Sequence, residues 1–258
     1  MKNSKIIKLK FSELSNKKEL FYREETQQKE NNYNDFSKWK KNIQDGRIKY
    51  LRRITQKVRF YGNILEIGAG SSWFSCELSK LSSVKKIHCL DFSEKILNEI
   101  TPLVMDYLKA DKKKMVRVVG DFYNLNFKDK SFDMVVVDAA LHHIDNMNHV
   151  LSEIKRVLKD GGMIVAIREP IVPKLRPGCK NTFGAHERSL GLTENIFSKK
   201  EWTVFFKKNG FTLKFLPIIP EYSFKYKIIN RTILKGLNGL LFAHYVLIAK
   251  KKRIKSDS

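Results

Sequence analysis

The chain has little of what marks stapled, fibrous or membrane-spanning proteins. Its three cysteines, Cys76, Cys89 and Cys179, are scattered and odd in number. They offer no metal-type spacing and no paired framework, which excludes a disulfide scaffold and fits a reducing, cytoplasmic setting. Six prolines and thirteen glycines exclude collagen-like and low-complexity architectures. No apolar run reaches 18 residues, so no membrane-spanning helix is expected. The opening "MKNSKIIKLKFSELSNKK" mixes lysine with apolar residues and lacks the continuous hydrophobic stretch of a secretory signal. Acidic residues are also scarce, 27 against 50 Lys and Arg, for a net charge of +23.

What is present is unevenly spread. Residues 1–60 carry 17 basic and 7 acidic side chains, residues 61–170 carry 15 of each, and residues 171–258 carry 18 and 5. The basic excess therefore lies wholly in the flanks of a neutral middle. An anionic partner (phosphorylated or acidic glycan, lipid head group or nucleic acid) accounts for such flanks. A lysine-rich bias carried on solvated faces accounts for them equally. Arginine, the better phosphate clamp, is the minority cation. With 258 residues, 42% of them hydrophobic, the chain can bury the core of one ordinary α/β domain with additions.

Residues 1–60 read as an N-terminal helical cap. Phe36, Trp39, Ile43, Tyr50, Leu51, Ile54 and Val58 recur at helical spacing, interrupted at Gly46, with Asn34 or Asp35 as N-cap. From residue 61 the pattern becomes strand–helix alternation. "NILEIG", "KIHCLDFS", "MVRVVGDF", "FDMVVVDAA" and "MIVAIRE" read as strands, and "MNHVLSEIKRVLK" as an amphipathic helix stopped by Gly161-Gly162. Short apolar strands separated by helices imply a doubly wound, mostly parallel sheet buried on both faces, with ligands outside the carboxyl ends of the strands. Within the domain of residues 61–258, residues 61–170 form the core and 197–258 a closing helix and strands. Residues 171–196 form a lid without regular structure, and beyond it Ser198 caps the helix that follows.

The carboxyl ends of the successive strands carry Glu66 with Gly68 and Gly70, then Asp91, Asp121, Asp138 and Glu169. One acid after a strand is commonly a helix cap. Five in succession along one edge, behind a G-x-G turn, are a constellation. A dinucleotide fingerprint requires a third glycine inside the helix, and here Ser71-Ser72-Trp73 follow Gly70.

In "LEIGAGSS", "HCLDFS", "VVGDFYNLNF", "SFDMVVVDAALHHI" and "EIKRVLKDGGMIVAIREP" the chain resembles the class I S-adenosylmethionine-dependent methyltransferases, of the small-molecule or glycan type. The resemblance is strong over about residues 60–170. It implies a seven-stranded Rossmann-like sheet and S-adenosylmethionine as cofactor, leaving S-adenosylhomocysteine as product. It assigns the glycine loop Gly68-Ala69-Gly70 to the methionine part and Asp91, beside Phe92, to the ribose hydroxyls. Asp121 falls to the adenine amino group with Phe122 beside it, and Asp138 and Ala139 to the amino acid portion. Glu66 would orient the loop or meet the amino group through water. Ser72 stands where the family often has glycine and is expected to cap the helix.

Methyl transfer from a sulfonium needs an acceptor positioned in line, and an oxygen or nitrogen acceptor can need a base. His142 or His143 is the candidate base, and Glu169 the candidate partner of an acceptor hydroxyl. Arg168 is expected to pair with Glu169 or hold an anionic group. In the lid, His186, Glu187, Glu194 and Asn195 are candidates for acceptor recognition. Adjacent histidines make a poor metal pair, and no metal is expected. Phe21, Tyr22 and Tyr33 are candidates to close over the cofactor. The run "GLLFAHYVLIA" before a basic tail fits a last strand, or peripheral contact with a membrane. The reading is O-methylation of a small-molecule, sugar or lipid-linked acceptor. The alternatives are an RNA methyltransferase using the basic flanks, although the "[DNS]-P-P-[FYW]" loop of base methylation is absent, and a non-catalytic scaffold of the same fold.

Overall fold

A computed structural model describes residues 5–13, 36–218, 237–238, 240 and 243–252. Phe21, Tyr22, Tyr33, Asn34 and Asp35 lie outside the described residues, as does most of the segment between the last two strands. The strands are β1 (Ile6–Lys8), β2 (Gly62–Ile67), β3 (Val84–Asp91), β4 (Met115–Val119), β5 (Phe132–Asp138), β6 (Leu158–Ile167), β7 (Phe211–Pro217) and β8 (Tyr245–Lys251). They form one sheet in the order β1-β4-β3-β2-β5-β6-β8-β7. Strands β1 to β6 pair in parallel, and β8 joins β6 and β7 antiparallel.

Strand alternation divides the core into two layers. Leu65, Ile67, Val135 and Val137 face one side, while Ile64, Met134 and Val136 face the other, all fully buried. The first layer is closed by Trp202 and Phe206 of one helix and Val150, Leu151 and Ile154 of another. The second is closed by Trp39, Tyr50, Leu51 and Ile54 from the N-terminal helices. Each such aliphatic or aromatic side chain contributes about 1.5–3 kcal/mol by leaving water.

The helices are α1 (Phe36–Asn42), α2 (Lys49–Thr55), α3 (Trp73–Ser79), α4 (Thr101–Tyr107), α5 (Met147–Val157), α6 (Cys179–Thr182), α7 (Ala185–Ser189) and α8 (Lys199–Lys208). The interruption expected at Gly46 is a π-helical stretch, Ile43–Ile48, between α1 and α2. The cap at Ser198 is a complete capping box with Glu201. Among the described residues, no helix is long and apolar enough to cross a membrane.

Three features depart from the sequence reading. The sheet has eight strands, not seven, because Ile6–Lys8 within the supposed helical cap adds to the edge beside β4. That strand is three residues long and flanked by lysines, the composition that blunts sheet edges and hides alternation. Gly161-Gly162 do not end α5. The chain passes at Leu158 straight into β6, and Gly161, at φ +76°, sits where the register with β5 shifts. The lid is not structureless. It carries α6 and α7 and is tied down by a bridge between Ile171 and Phe197.

Candidate functional site

Strands β3 and β4 lie on one side of β2, while β5 and β6 lie on the other. The crossovers diverge between β2 and β5, and a crevice opens there at the carboxyl edge. The acids expected along that edge are all there, and each is held by a different device.

Backbone strain concentrates at the same edge. Among the described residues, five other than glycine have positive φ, and three of them, Ser72, Ala139 and Arg168, follow β2, β5 and β6. Gly68 also has positive φ (+65°), and a Cβ there would lie 2.6 Å from the Cβ of Ala140. Glycine at 68 is therefore a steric requirement of the turn. Ser72 does not cap α3 with its side chain, in contrast to the sequence expectation. It is left-handed, at φ 59°, with no side-chain cap bond, and its Oγ lies 3.4 Å from Thr101 Oγ1. A left-handed residue with a Cβ costs roughly 1–2 kcal/mol, which explains why glycine suits this position. Ser72→Gly is expected to raise the unfolding free energy by about 0.5–1 kcal/mol, the relieved strain less the entropy of a freer unfolded chain. Urea denaturation measures it, and a loss of stability would show that the Thr101 contact outweighs the strain.

Asp91 is buried and accepts the backbone N–H of Gly70 (2.7 Å) and of Ser93 (2.9 Å), one on each oxygen. It therefore shapes the glycine loop. Asp121 accepts N–H groups of Tyr123 and Asn124 on Oδ1 and the Ser12 N–H, beyond β1, on Oδ2. Phe122 lies against the glycine turn, its ring 3.6 Å from the position of a Cβ at Gly68. Phe92 is half-buried beside Asp91.

Glu66 is sealed below the loop. One oxygen accepts the Ser75 N–H (3.1 Å) and the Ser75 hydroxyl; the other, Oε1, finds no partner among the described residues. Burial pushes its carboxyl up to about 8, against the Ser75 hydroxyl bond, with the Asp138 and Asp91 charges adding to the rise. Glu66 is thus a neutral acid near pH 7 rather than a counter-charge.

Arg168 pairs with Asp138, not with Glu169. Its Nε and Nη2 reach the two Asp138 oxygens at 2.5 and 2.8 Å, while Trp73 Nε1 donates to Oδ2 at 2.7 Å. Burial alone would raise the Asp138 carboxyl, but the Arg168 charge and hydrogen bonds prevail and hold it below its ordinary value. The left-handed backbone of Arg168 turns its side chain back across the sheet edge toward β5.

Glu169 points into the protein. Its Oε1 accepts the N–H of Ala140 and of Leu141, both at 3.0 Å. Its Oε2 accepts the His142 N–H (3.2 Å) and meets His142 Nδ1 at 2.8 Å. Four donors converge on one buried carboxylate, which fixes the 3-10 turn Leu141–His143. The His142 and His143 rings meet there at a tilt, with centroids 3.9 Å apart, and Glu194 reaches both from the lid. Asn195 is a backbone staple rather than a recognition group, its N–H to the His142 carbonyl at 2.9 Å and its Nδ2 to the Ile144 carbonyl at 3.1 Å.

A cavity of about 400 Å³ opens beneath the lid, bordered by Tyr50, Arg168, Glu169, Ile171, Ile196 and Tyr245 among others. His186 and Glu187 are not among its lining residues; both belong to α7, and His186 is exposed. Tyr50 and Tyr245 are not among the site residues expected from sequence. One belongs to a helical core stripe and the other to an apolar strand, so no local signal marks them.

Residues 65–166 match the family model described as a methyltransferase domain. The demethylmenaquinone methyltransferase of Leptospira interrogans is 32% identical over 116 residues, which cover 45% of this chain and 46% of that protein. The chain thus matches somewhat under half the length of that curated relative. Among solved structures, the complex between the Haloferax volcanii Trm112 methyltransferase activator and a methyltransferase contains a similar chain, with a TM-score of 0.61 at 18% identity. The match covers 87% of this chain and 99% of that one. An S-adenosylmethionine-dependent methyltransferase from Mesorhizobium loti has a TM-score of 0.53 at 17% identity, over 73% and 90% of the two chains. At these identities the likeness is one of fold.

Proposed function

Residues 65–166 match a methyltransferase domain, and from that premise we propose that the protein is a class I S-adenosylmethionine-dependent enzyme that methylates a small-molecule acceptor held beneath its lid. The observation that carries the proposal is the glycine turn cradled against Ala140, with Asp91 and Asp121 at the neighbouring strand ends.

The residues present fit the cofactor. A Cβ at Gly68 would fill the cradle, and the buried Glu66 Oε1 is a polar atom without a partner among the described residues. Asp91 would hold the ribose hydroxyls, Asp121 with Phe122 the adenine, and the turn Gly68-Ala69-Gly70 the methionine part. Ala139, beyond β5, would border the amino acid portion, and Asp138 would act on it through its pair with Arg168. When bound, S-adenosylmethionine supplies an electrophilic methyl on a sulfonium. The chain's own contribution is position: the cavity orients the acceptor, Tyr50 and Tyr245 offer it aromatic walls, and the lid excludes water.

Among the expected catalytic groups, His142 or His143 remains the candidate to take a proton from an acceptor oxygen, consistent with O-methylation. The proposed role of Glu169 becomes that of a positioning residue. A carboxylate already accepting four donors is poorly placed to deprotonate an acceptor. Glu194 replaces the wider set of lid residues as the group facing the histidines.

The basic flanks favour a second reading, an acceptor on RNA, and one assay separates the two. Incubating the purified protein with methyl-labelled cofactor and fractionated cell extract is expected to place label in small organic molecules. Label confined to RNA would overturn the small-molecule reading. Cofactor holding is tested separately: Asp91→Ala is expected to weaken S-adenosylhomocysteine binding by about 1–3 kcal/mol in calorimetry, the value of a hydrogen bond to a charged group. Unchanged affinity would remove Asp91 from the cofactor site.

A further inference from the structure

Adjacent side chains usually diverge, and on that ground the sequence alone points to no metal at His142-His143. Here the two side chains converge. The turn Leu141–His143 brings the two rings together, and each histidine offers a different nitrogen. One ring nitrogen of each histidine and a carboxylate oxygen of Glu194 all lie within 4.8 Å of one another. His143 Nδ1 is 2.9 Å from Glu194 Oε1, and His142 Nε2 is 3.8 Å from Glu194 Oε2. Bonds of about 2.0–2.2 Å around a tetrahedral ion separate its ligands by roughly 3.3–3.5 Å, so small side-chain adjustments bring this set to coordination distance.

The surroundings are built for it. Glu169 accepts three backbone N–H groups, so it acts as acceptor to His142 Nδ1 as well, and Nδ1 carries the hydrogen. That leaves the His142 Nε2 lone pair on the side of Glu194, in the carboxylate–histidine arrangement that orients metal-binding imidazoles. Glu194 is held from behind. Gly184 packs so closely that a Cβ there would lie 2.4 Å from the Glu194 Cβ, and Arg188 Nη1 donates to the Glu194 carbonyl at 3.0 Å. The Asn195 bonds to the His142 and Ile144 carbonyls fix the register between lid and turn.

We propose that His142, His143 and Glu194 form a site for a divalent first-row transition ion of the zinc type. Two imidazoles and one carboxylate suit such ions and not the oxygen-seeking calcium or magnesium. Three protein ligands leave at least one coordination position for water or a ligand oxygen. The bound ion ties the lid to the turn after β5. The site is complete in the chain's own residues and does not depend on cofactor binding; with the ion bound the two ring nitrogens are ligands, so the base role proposed for the histidines belongs to the ion-free protein.

The test is titration of the full-length, chelator-treated protein with Co²⁺, followed by visible absorption, and with Zn²⁺ by calorimetry. One saturable equivalent is expected, with the d–d absorption of a nitrogen- and oxygen-ligated site. Glu194→Gln and His143→Gln, each checked for folding by circular dichroism, are expected to bind roughly tenfold more weakly or worse. Lys57→Ala, at an exposed position just after α2, is expected to bind as the parent does. Absence of saturable binding, or parental affinity in both the Glu194→Gln and the His143→Gln proteins, would overturn the proposal. S-adenosylhomocysteine affinity measured in parallel reports the cofactor site on its own.

Discussion

Glu169→Ala is expected to lower the unfolding free energy by about 3–5 kcal/mol, because it leaves several buried donors without an acceptor at once. The carboxylate serves the N–H groups of Ala140, Leu141 and His142 and the His142 ring, and it is buried. Each orphaned donor costs about 1–3 kcal/mol when no water reaches it. The adjoining cavity lets water recover part of that, so the expected total stays below the simple sum. Glu169→Gln keeps an oxygen for Ala140 and Leu141 but turns an NH₂ toward the His142 N–H, and is expected to lose about 1–3 kcal/mol. Urea unfolding of the three proteins decides. Were Glu169 instead a base acting on the acceptor, both variants would lose turnover while unfolding at the parental midpoint.

That contrast shows where the sequence is legible and where it is not. Strands β2 to β6 announce themselves through β-branched runs, and their terminal acids follow from the same pattern, since a strand's end can be counted. What each acid touches cannot be counted. Glu169 and Arg168 are neighbours after one strand, and simple adjacency suggests that they pair. The left-handed backbone at Arg168 sends it to Asp138, while Glu169 turns under the Leu141–His143 turn. Likewise "HH" reads as two diverging side chains until a 3-10 turn and two different ring nitrogens make them converge. Glu194 joins them from about fifty residues away, through lid contacts that no local period encodes. Strand β1 escapes the sequence reading for the opposite reason: its lysines are the means by which an edge protects itself, and they erase the alternation by which strands are recognised.

Glu66 should make the protein lose stability as the solution turns alkaline, and Glu66→Gln should remove that loss. The carboxyl is fully buried, with an ordinary value of 4.5 raised to about 8 in the folded chain. Below pH 4.5 both folded and unfolded chains hold the proton, and the favourable contribution is complete. As pH rises from there, the unfolded chain ionises while the folded chain does not, so stability falls until the folded group also ionises near 8. A shift of this size corresponds to about 3–5 kcal/mol across the window. Glutamine mimics the neutral acid and keeps an oxygen for the Ser75 N–H and hydroxyl. The two proteins should therefore unfold alike near pH 5, and the Glu66→Gln protein should be the more stable by about 3 kcal/mol or more near pH 8.5. Urea titrations at several pH values measure the divergence. Parallel curves would mean that Glu66 ionises normally in the folded protein.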